Sequence, residues 1–175
     1  MCPGECKDRM GDAFARFGRV SIVKRTRVTS PEDPALRIRG RAPFWAAGGL
    51  VHDGRGAIVL VRVKPEPEGG SWFTPGGLLE RGERTDDGLR REVREEVGVE
   101  LTEPTLTRII HETVTDGSRY RHGYFAQFVA RALSRDLQPG HEVVEARWFP
   151  DLPKDMAFRD DYLEDFAKVS KGTSF

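Results

Sequence analysis

Apolar positions change their period several times along the chain. The run Ala57-Ile58-Val59-Leu60-Val61-Arg62-Val63 is nearly continuous, the pattern of a strand covered on both faces. Phe44 to Val51 reads as another strand, parted from the first by the turn signal His52-Asp53-Gly54-Arg55-Gly56. Between Thr85 and Val97 the period lengthens. Leu89, Val93 and Val97 recur at i, i+4 and i+8, which predicts a helix with one buried stripe. Thr85 is the expected N-cap, Asp86 and Asp87 suit the first turn, and Gly98 follows as the C′ residue. Further strands are expected at Leu106 to Thr115, Tyr120 to Ala132 and Val143 to Phe149, the first two joined by Asp116-Gly117-Ser118. A closing helix over Asp160 to Val169 is expected to bury Tyr162, Leu163 and Phe166. Pro65 to Gly70 is too rich in Pro and Gly for regular structure. Strands mixed with two or three helices predict an α/β chain, a sheet covered by helices on its faces.

Residues 1–43 differ in character. They are basic and punctuated by Pro3, Pro31, Pro34 and Pro43. Asp12 to Phe17 is a short helix candidate, Val20 to Val28 a strand, and Ala35 to Arg39 a second short strand. The first nine residues read as dispensable. The division expected is an N-terminal extension over 1–43 and a domain over 44–175. The extension has two readings: a strand that completes the sheet or exchanges with a second subunit in a homodimer, and a disordered basic arm.

Composition narrows the function class. The 175 residues carry 28 Lys and Arg against 28 Asp and Glu, a formal balance of zero. That gives no global pull toward nucleic acid or an anionic membrane, while leaving room for a local basic pocket. The two cysteines, Cys2 and Cys6, have no further Cys or nearby His to complete a metal site. They read as part of a frayed tail, and their scarcity fits a reducing compartment. No apolar stretch approaches the length that spans a bilayer, and no signal-peptide pattern opens the chain. The expected address is the cytoplasm.

The chemistry concentrates in Gly77 to Val99, GLLERGERTDDGLRREVREEVGV. Glu92, Glu95 and Glu96 stand at i, i+3 and i+4, so they share one face of the predicted helix. Like charges at that spacing cost a helix roughly 0.2–0.5 kcal/mol per pair. A hard divalent cation reverses the sign, because converging carboxylate oxygens are what Mg²⁺ requires. Gly88, near the same side, removes bulk. Ahead of the helix, Pro75-Gly76-Gly77 is a turn where backbone can approach a ligand closely. The plain alternative is a solvated charged face, with Arg91 paired to Glu95 and with Arg90 and Arg94 paired to their neighbours.

The segment resembles the Nudix box, G-x5-E-x7-R-E-U-x-E-E-x-G-U with U an apolar aliphatic. Gly77, Glu83, Arg91, Glu92, Val93, Glu95, Glu96, Gly98 and Val99 fill every fixed position. The approach Trp72-Phe73-Thr74-Pro75-Gly76-Gly77 is also similar, and the likeness runs from about Phe44 to the C-terminal helix. The resemblance implies a Nudix-type α/β/α sandwich with a mixed β-sheet. It implies a hydrolase that cleaves a pyrophosphate bond in a nucleoside diphosphate linked to another group X, with Mg²⁺ or Mn²⁺ as cofactor. By position, Glu92 and Glu96 would be principal metal ligands, Glu95 a further ligand or the water-activating base, and the Gly76 carbonyl an additional ligand. Arg91 would orient the carboxylates with Glu83 as its ion partner, and Gly98 would close the motif. Glu95 is the first choice for the base, and a loop glutamate before the last strand, which many family members use instead, is the other candidate. Glu142 fits that position, with Glu145 and Glu112 as weaker choices.

Substrate contacts are less legible. Arg62 and Lys64 share a strand face and are candidates for holding phosphate, beside Gly77. Trp72, Tyr120, Tyr124 and Phe128 are candidates for stacking on a base. His111, His122 and His141 have no metal spacing between them. The proline and tyrosine that mark ADP-ribose and dinucleoside polyphosphate branches of the family are replaced by Val114 and Thr115. The partner expected is a small-molecule nucleotide. Two rivals share the fold: a nucleotide-sensing module without catalysis, and a prenyl diphosphate isomerase, which would want a core cysteine that this chain lacks.

Overall fold

The computed structural model describes residues 3–38, 40, 42–64 and 70–172, with backbone alone for 3–7. Cys2 and most of the Pro65 to Gly70 loop therefore lie outside the described residues, and so does the side chain of Cys6. The elements in chain order are α1 (Pro3–Phe17), β1 (Ser21–Val28), α2 (Pro34–Arg37), β2 (Phe44–His52), β3 (Ile58–Val63), β4 (Gly76–Leu78), α3 (Thr85–Val97), β5 (Thr105–Thr115), β6 (Tyr120–Arg131), β7 (Val143–Phe149), a 3₁₀ turn (Arg159–Tyr162) and α4 (Leu163–Ser170).

The strands form one mixed sheet in the order β1-β5-β6-β2-β3-β7. β1 runs parallel to β5 and β2 parallel to β6, while β5–β6, β2–β3 and β3–β7 are antiparallel. One core gathers Leu89, Val93 and Val97 of α3 and Ala13 of α1 against Trp45, Ala47, Ile109 and Phe128 of the sheet. A second lies on the opposite face, where Tyr162 and Val169 meet Leu50, Ile58, Leu60 and Trp72. Helices thus cover both faces, the α/β/α sandwich expected from the sequence.

On the side away from β6, β2 forks between two partners, and the fork positions the site. Its first half pairs with β4, Ala47 facing Gly77 and Gly48 facing Gly76. Its end pairs with β3, Val51 facing Val59. The Pro75-Gly76-Gly77 turn is thereby pressed onto the sheet. A Cβ on Gly48 would stand 2.8 Å from the Pro75 carbonyl oxygen, so glycine permits that approach.

Several local expectations are corrected. The N-terminal segment is not a frayed arm: α1 begins at Pro3, and β1 joins the sheet of its own chain. Met10, Phe14 and Phe17 pack against the first core, so helix formation reaches well before Asp12. Residues 34–37 form a helix rather than a strand, because Asp33 accepts from Ala35 N–H at 2.8 Å and Pro34 sits in its first turn. Thr85 does not cap α3. Arg84 holds the cap position, and the Thr85 hydroxyl is buried without a hydrogen bond. In the last helix Leu163 is exposed, and Asp165 is buried beside Val169. Asp165 is stabilised there by hydrogen bonds from Thr107 Oγ1 and Gln127 Nε2 at 2.8 and 2.7 Å.

Candidate active site

Helix α3 packs its apolar stripe on the sheet and turns its acidic face toward the Pro75–Gly77 turn and the loop before β7. Glu92, Glu95, Glu96, His141, Glu142 and Val143 line one cleft of about 360 Å³. Two sets of backbone contacts build it. The Gly76 N–H donates to Glu96 Oε2 at 2.9 Å. On the far side, Gln138 N–H and Gly140 N–H donate to the Val97 and Glu96 carbonyls, at 2.9 and 3.1 Å. These contacts satisfy the open carbonyls at the helix C-terminus and carry His141 and Glu142 to the end of α3. A side chain on Gly140 would collide with the Glu95 carbonyl oxygen.

Arg91 organises the acidic face. Its Nε and Nη2 donate to the two oxygens of Glu83, at 2.8 and 3.0 Å. Its Nη1 reaches Glu92 Oε1 at 2.8 Å and Glu95 Oε2 at 3.2 Å, and Nη2 also binds the Leu78 carbonyl. The planar fork suits this work, since one bidentate pair fixes the guanidinium plane and frees Nη1 for the ligand candidates. Arg91→Lys should therefore lower kcat about 10- to 100-fold with little change in melting temperature, checked by steady-state kinetics beside thermal unfolding.

The glycines have specific tenants. A Cβ on Gly77 would lie 2.6 Å from Glu92 Cδ, so this residue makes room for a carboxylate. Gly88 makes room for Leu79 and Glu83 rather than for an ion. Gly98 ends the helix in the left-handed region at φ 71° and lies against Gln138.

Electrostatics separate the carboxylates. The Arg91 guanidinium holds Glu83 below its ordinary value. Burial raises Glu92, against the pull of Arg91. Burial raises Glu96 furthest, to about 7, with Glu92, Glu142 and Glu95 adding repulsion against the Gly76 N–H. Partly buried carboxylates that repel one another have an unmet demand for positive charge. Oxygen donors of this kind suit a hard divalent ion. As placed, however, no three His, Cys, Asp or Glu side chains among the described residues converge tightly enough to hold one. Arg91 draws Glu92 and Glu95 toward itself, while Gly76 holds Glu96, so the full convergence expected from helix spacing is not reached.

Other expectations need correction. Trp72 is 3% exposed, with Arg62 4.1 Å above its ring and Phe149 against it, so it offers no face to a base. Arg62 bonds Glu145 and Asp155, at 3.2 and 3.1 Å, and Glu145 also pairs with Arg147. Glu112 is held by Arg25 and Arg27. Phe128 is fully buried, and Tyr124 is stacked between Trp45 and His111. Lys64 Nζ binds the His141 carbonyl at 2.7 Å, and its N–H binds the Glu142 carbonyl at 2.9 Å. It supports the loop that bears Glu142. Sequence reasoning passed over that role, and it passed over Arg9 of α1, whose nearest signal was the Met10, Phe14, Phe17 stripe beside it.

The chain and its fold have known relatives. The chain is 36% identical over 154 residues to the putative mutator protein MutT4 of Mycobacterium tuberculosis, a match covering 81% of this chain and 60% of that protein. It is 25% identical over 132 residues to an ADP-ribose pyrophosphatase of Methanocaldococcus jannaschii, covering 74% of this chain and 76% of that one. A NUDIX hydrolase structure from Nitrosomonas europaea superposes with a TM-score of 0.59 at 22% identity, covering 77% and 76% of the two chains, and supports the fold. No helix among the described residues is long and apolar enough to cross a membrane. With the NUDIX domain family model matching residues 42–163, the chain belongs to the Nudix family.

Proposed function

We propose that the chain is a divalent-metal-dependent hydrolase that cleaves a pyrophosphate bond in a nucleoside diphosphate linked to another group. The observation that carries this reading is the cleft in which Glu92, Glu95, Glu96 and Glu142 gather, with Glu96 pushed up to about 7 by burial and by its neighbours. Such a cluster is unfavourable alone and favourable around a cation. Glu92 and Glu96 are the principal ligand candidates, with Glu95 and the Gly76 carbonyl beside them. Mg²⁺ or Mn²⁺ bound there would neutralise pyrophosphate charge and acidify the attacking water.

The chain's own residues supply the rest. The Gly76 N–H orients Glu96, and Arg91 orients Glu92 while anchored on Glu83. A carboxylate must then accept the proton of the attacking water. Glu95 shares Arg91, whereas Glu142 is 79% exposed at the cleft mouth with His141 Nε2 at 3.6 Å. We assign the proton to Glu142. Glu142→Gln should lower kcat about 100-fold and Glu95→Gln by less, read from kcat at saturating Mg²⁺. The reverse order would return the base to Glu95.

The proposed substrates are nucleotide sugars, nucleoside triphosphates and dinucleotides, which share the pyrophosphate bond to be cleaved. The Methanocaldococcus relative bears the name of an ADP-ribose enzyme, while this chain has Val114 where such members often carry proline. A phosphate-release screen over nucleoside diphosphate derivatives, with Mg²⁺ and with Mn²⁺, tests the reading. Nucleotide binding without release across the panel would favour a sensing module instead.

A further inference from the structure

Helix α1 lies ahead of the family-matched residues 42–163, yet it touches the turn that leads into the acidic helix. Arg9 Nη2 donates to the Glu80 carbonyl at 2.6 Å, and its Nε donates to the Glu83 carbonyl at 3.1 Å. These two carbonyls are the ends of one tight turn. Within it Glu83 N–H binds the Glu80 carbonyl at 3.2 Å, and Glu80 N–H binds Glu83 Oε2 at 2.8 Å. Gly82 supplies the left-handed backbone, at φ 76°. The same Glu83 carboxylate takes both nitrogens of Arg91, and Arg91 in turn holds Glu92 and Glu95. Two further ion pairs keep α1 in place, Arg16 with Asp86 and Asp12 with Arg84 at 3.8 Å.

We propose that Arg9 is a positioning residue for the acidic cleft: it pins the turn bearing Glu83 and, through Glu83 and Arg91, sets where the Glu92 and Glu95 carboxylates stand. A rigid guanidinium fork spans two carbonyls with fixed geometry, which an ammonium cannot do. Support behind the groups that orient metal ligands is worth roughly 10- to 100-fold in affinity or activity. The inference rests on the proposed hydrolase reading, and its test includes measurements that need no turnover.

The test compares Arg9→Ala and Arg9→Lys with Val169→Ala, which opens a cavity on the opposite face of the sheet. In Arg9→Ala the Arg91 Nε–H signal, followed by ¹⁵N NMR, should exchange about tenfold faster with solvent. Mn²⁺ affinity, measured by electron paramagnetic resonance without nucleotide, should fall severalfold. The kcat should drop about tenfold with KM within twofold. Arg9→Lys reaches one carbonyl and should fall between, and it carries the test if the alanine variant does not fold. Val169→Ala should lower the melting temperature without moving any of these readouts. Unchanged Arg91 exchange and Mn²⁺ affinity in the Arg9 variants would overturn the proposal, as would equal changes in Val169→Ala. If the wild-type protein hydrolyses nothing, the functional reading falls, while Arg91 exchange and Mn²⁺ binding still decide the role of Arg9.

Discussion

Glu96→Gln should lower kcat about a thousandfold and, at the same time, make the metal-free protein more stable above pH 7. The two effects share one cause. Glu96 is half-buried beside Glu92 and Glu142, and its carboxyl is raised from 4.5 to about 7. The folded protein therefore holds a proton that the unfolded chain releases near its ordinary value. Between pH 4.5 and 7 the native state binds more protons, so stability falls as pH rises through that window. At 1.36 kcal/mol per unit between 4.5 and about 7, the loss is about 3 kcal/mol by pH 8. Glutamine keeps the shape and can still accept from Gly76 N–H, but it has no charge to bury. In EDTA at pH 8 the variant should thus unfold at a higher denaturant concentration than wild type, with the difference vanishing near pH 4.5. Mg²⁺ should stabilise wild type and leave the variant nearly unmoved. Undiminished hydrolysis by Glu96→Gln would remove the assignment of the cleft.

The second large effect concerns the sheet. Gly49 of β2 faces Phe128 of β6, at φ 155°. A Cβ there would land on the Phe128 carbonyl oxygen and stand 2.7 Å from the Phe128 nitrogen. The obstacle is the backbone of a central strand, which cannot rotate aside. Gly49→Ala should force β2 from β6 and destabilise the fold by at least about 3 kcal/mol. For a chain of this length that is a fall of about 10 °C in melting temperature. Gly11 is exposed in α1, and no neighbouring atom lies within 4 Å of where its Cβ would stand. Gly11→Ala should raise stability by about 0.5–1 kcal/mol. Opposite signs from the same chemical change, read in one urea series, would separate close approach from helix propensity.

Patterns with a short period were the most legible. The α3 stripe, Leu89, Val93 and Val97, and the continuous run of β3 each depend on neighbours a few residues away, and both formed where expected. Thr85 misled because its cap role depends on what lies behind it. Asp86 is claimed by Arg16 of α1, 70 residues upstream, and the helix enters from Arg84 instead. Trp72 and Arg62 misled for a similar reason. An aromatic and a cation in a loop and a strand read as ligand contacts until Glu145 and Asp155 are seen to occupy the cation and Arg62 to cover the ring.

Local spacing alone established the acidic helix, its buried side, the glycines that bracket it and, through the resemblance these residues carry, the family. Helix periodicity requires nothing beyond the chain within four residues. Folding settled matters that join distant segments: that Lys64 supports the loop bearing Glu142, that Gly76 holds Glu96, and that Arg9 lies behind Glu83. Each of these rests on hydrogen bonds that cross 20 to 77 residues of chain. Such bonds follow from how the sheet is ordered and how α1 packs, and no periodicity in the amino acids encodes them.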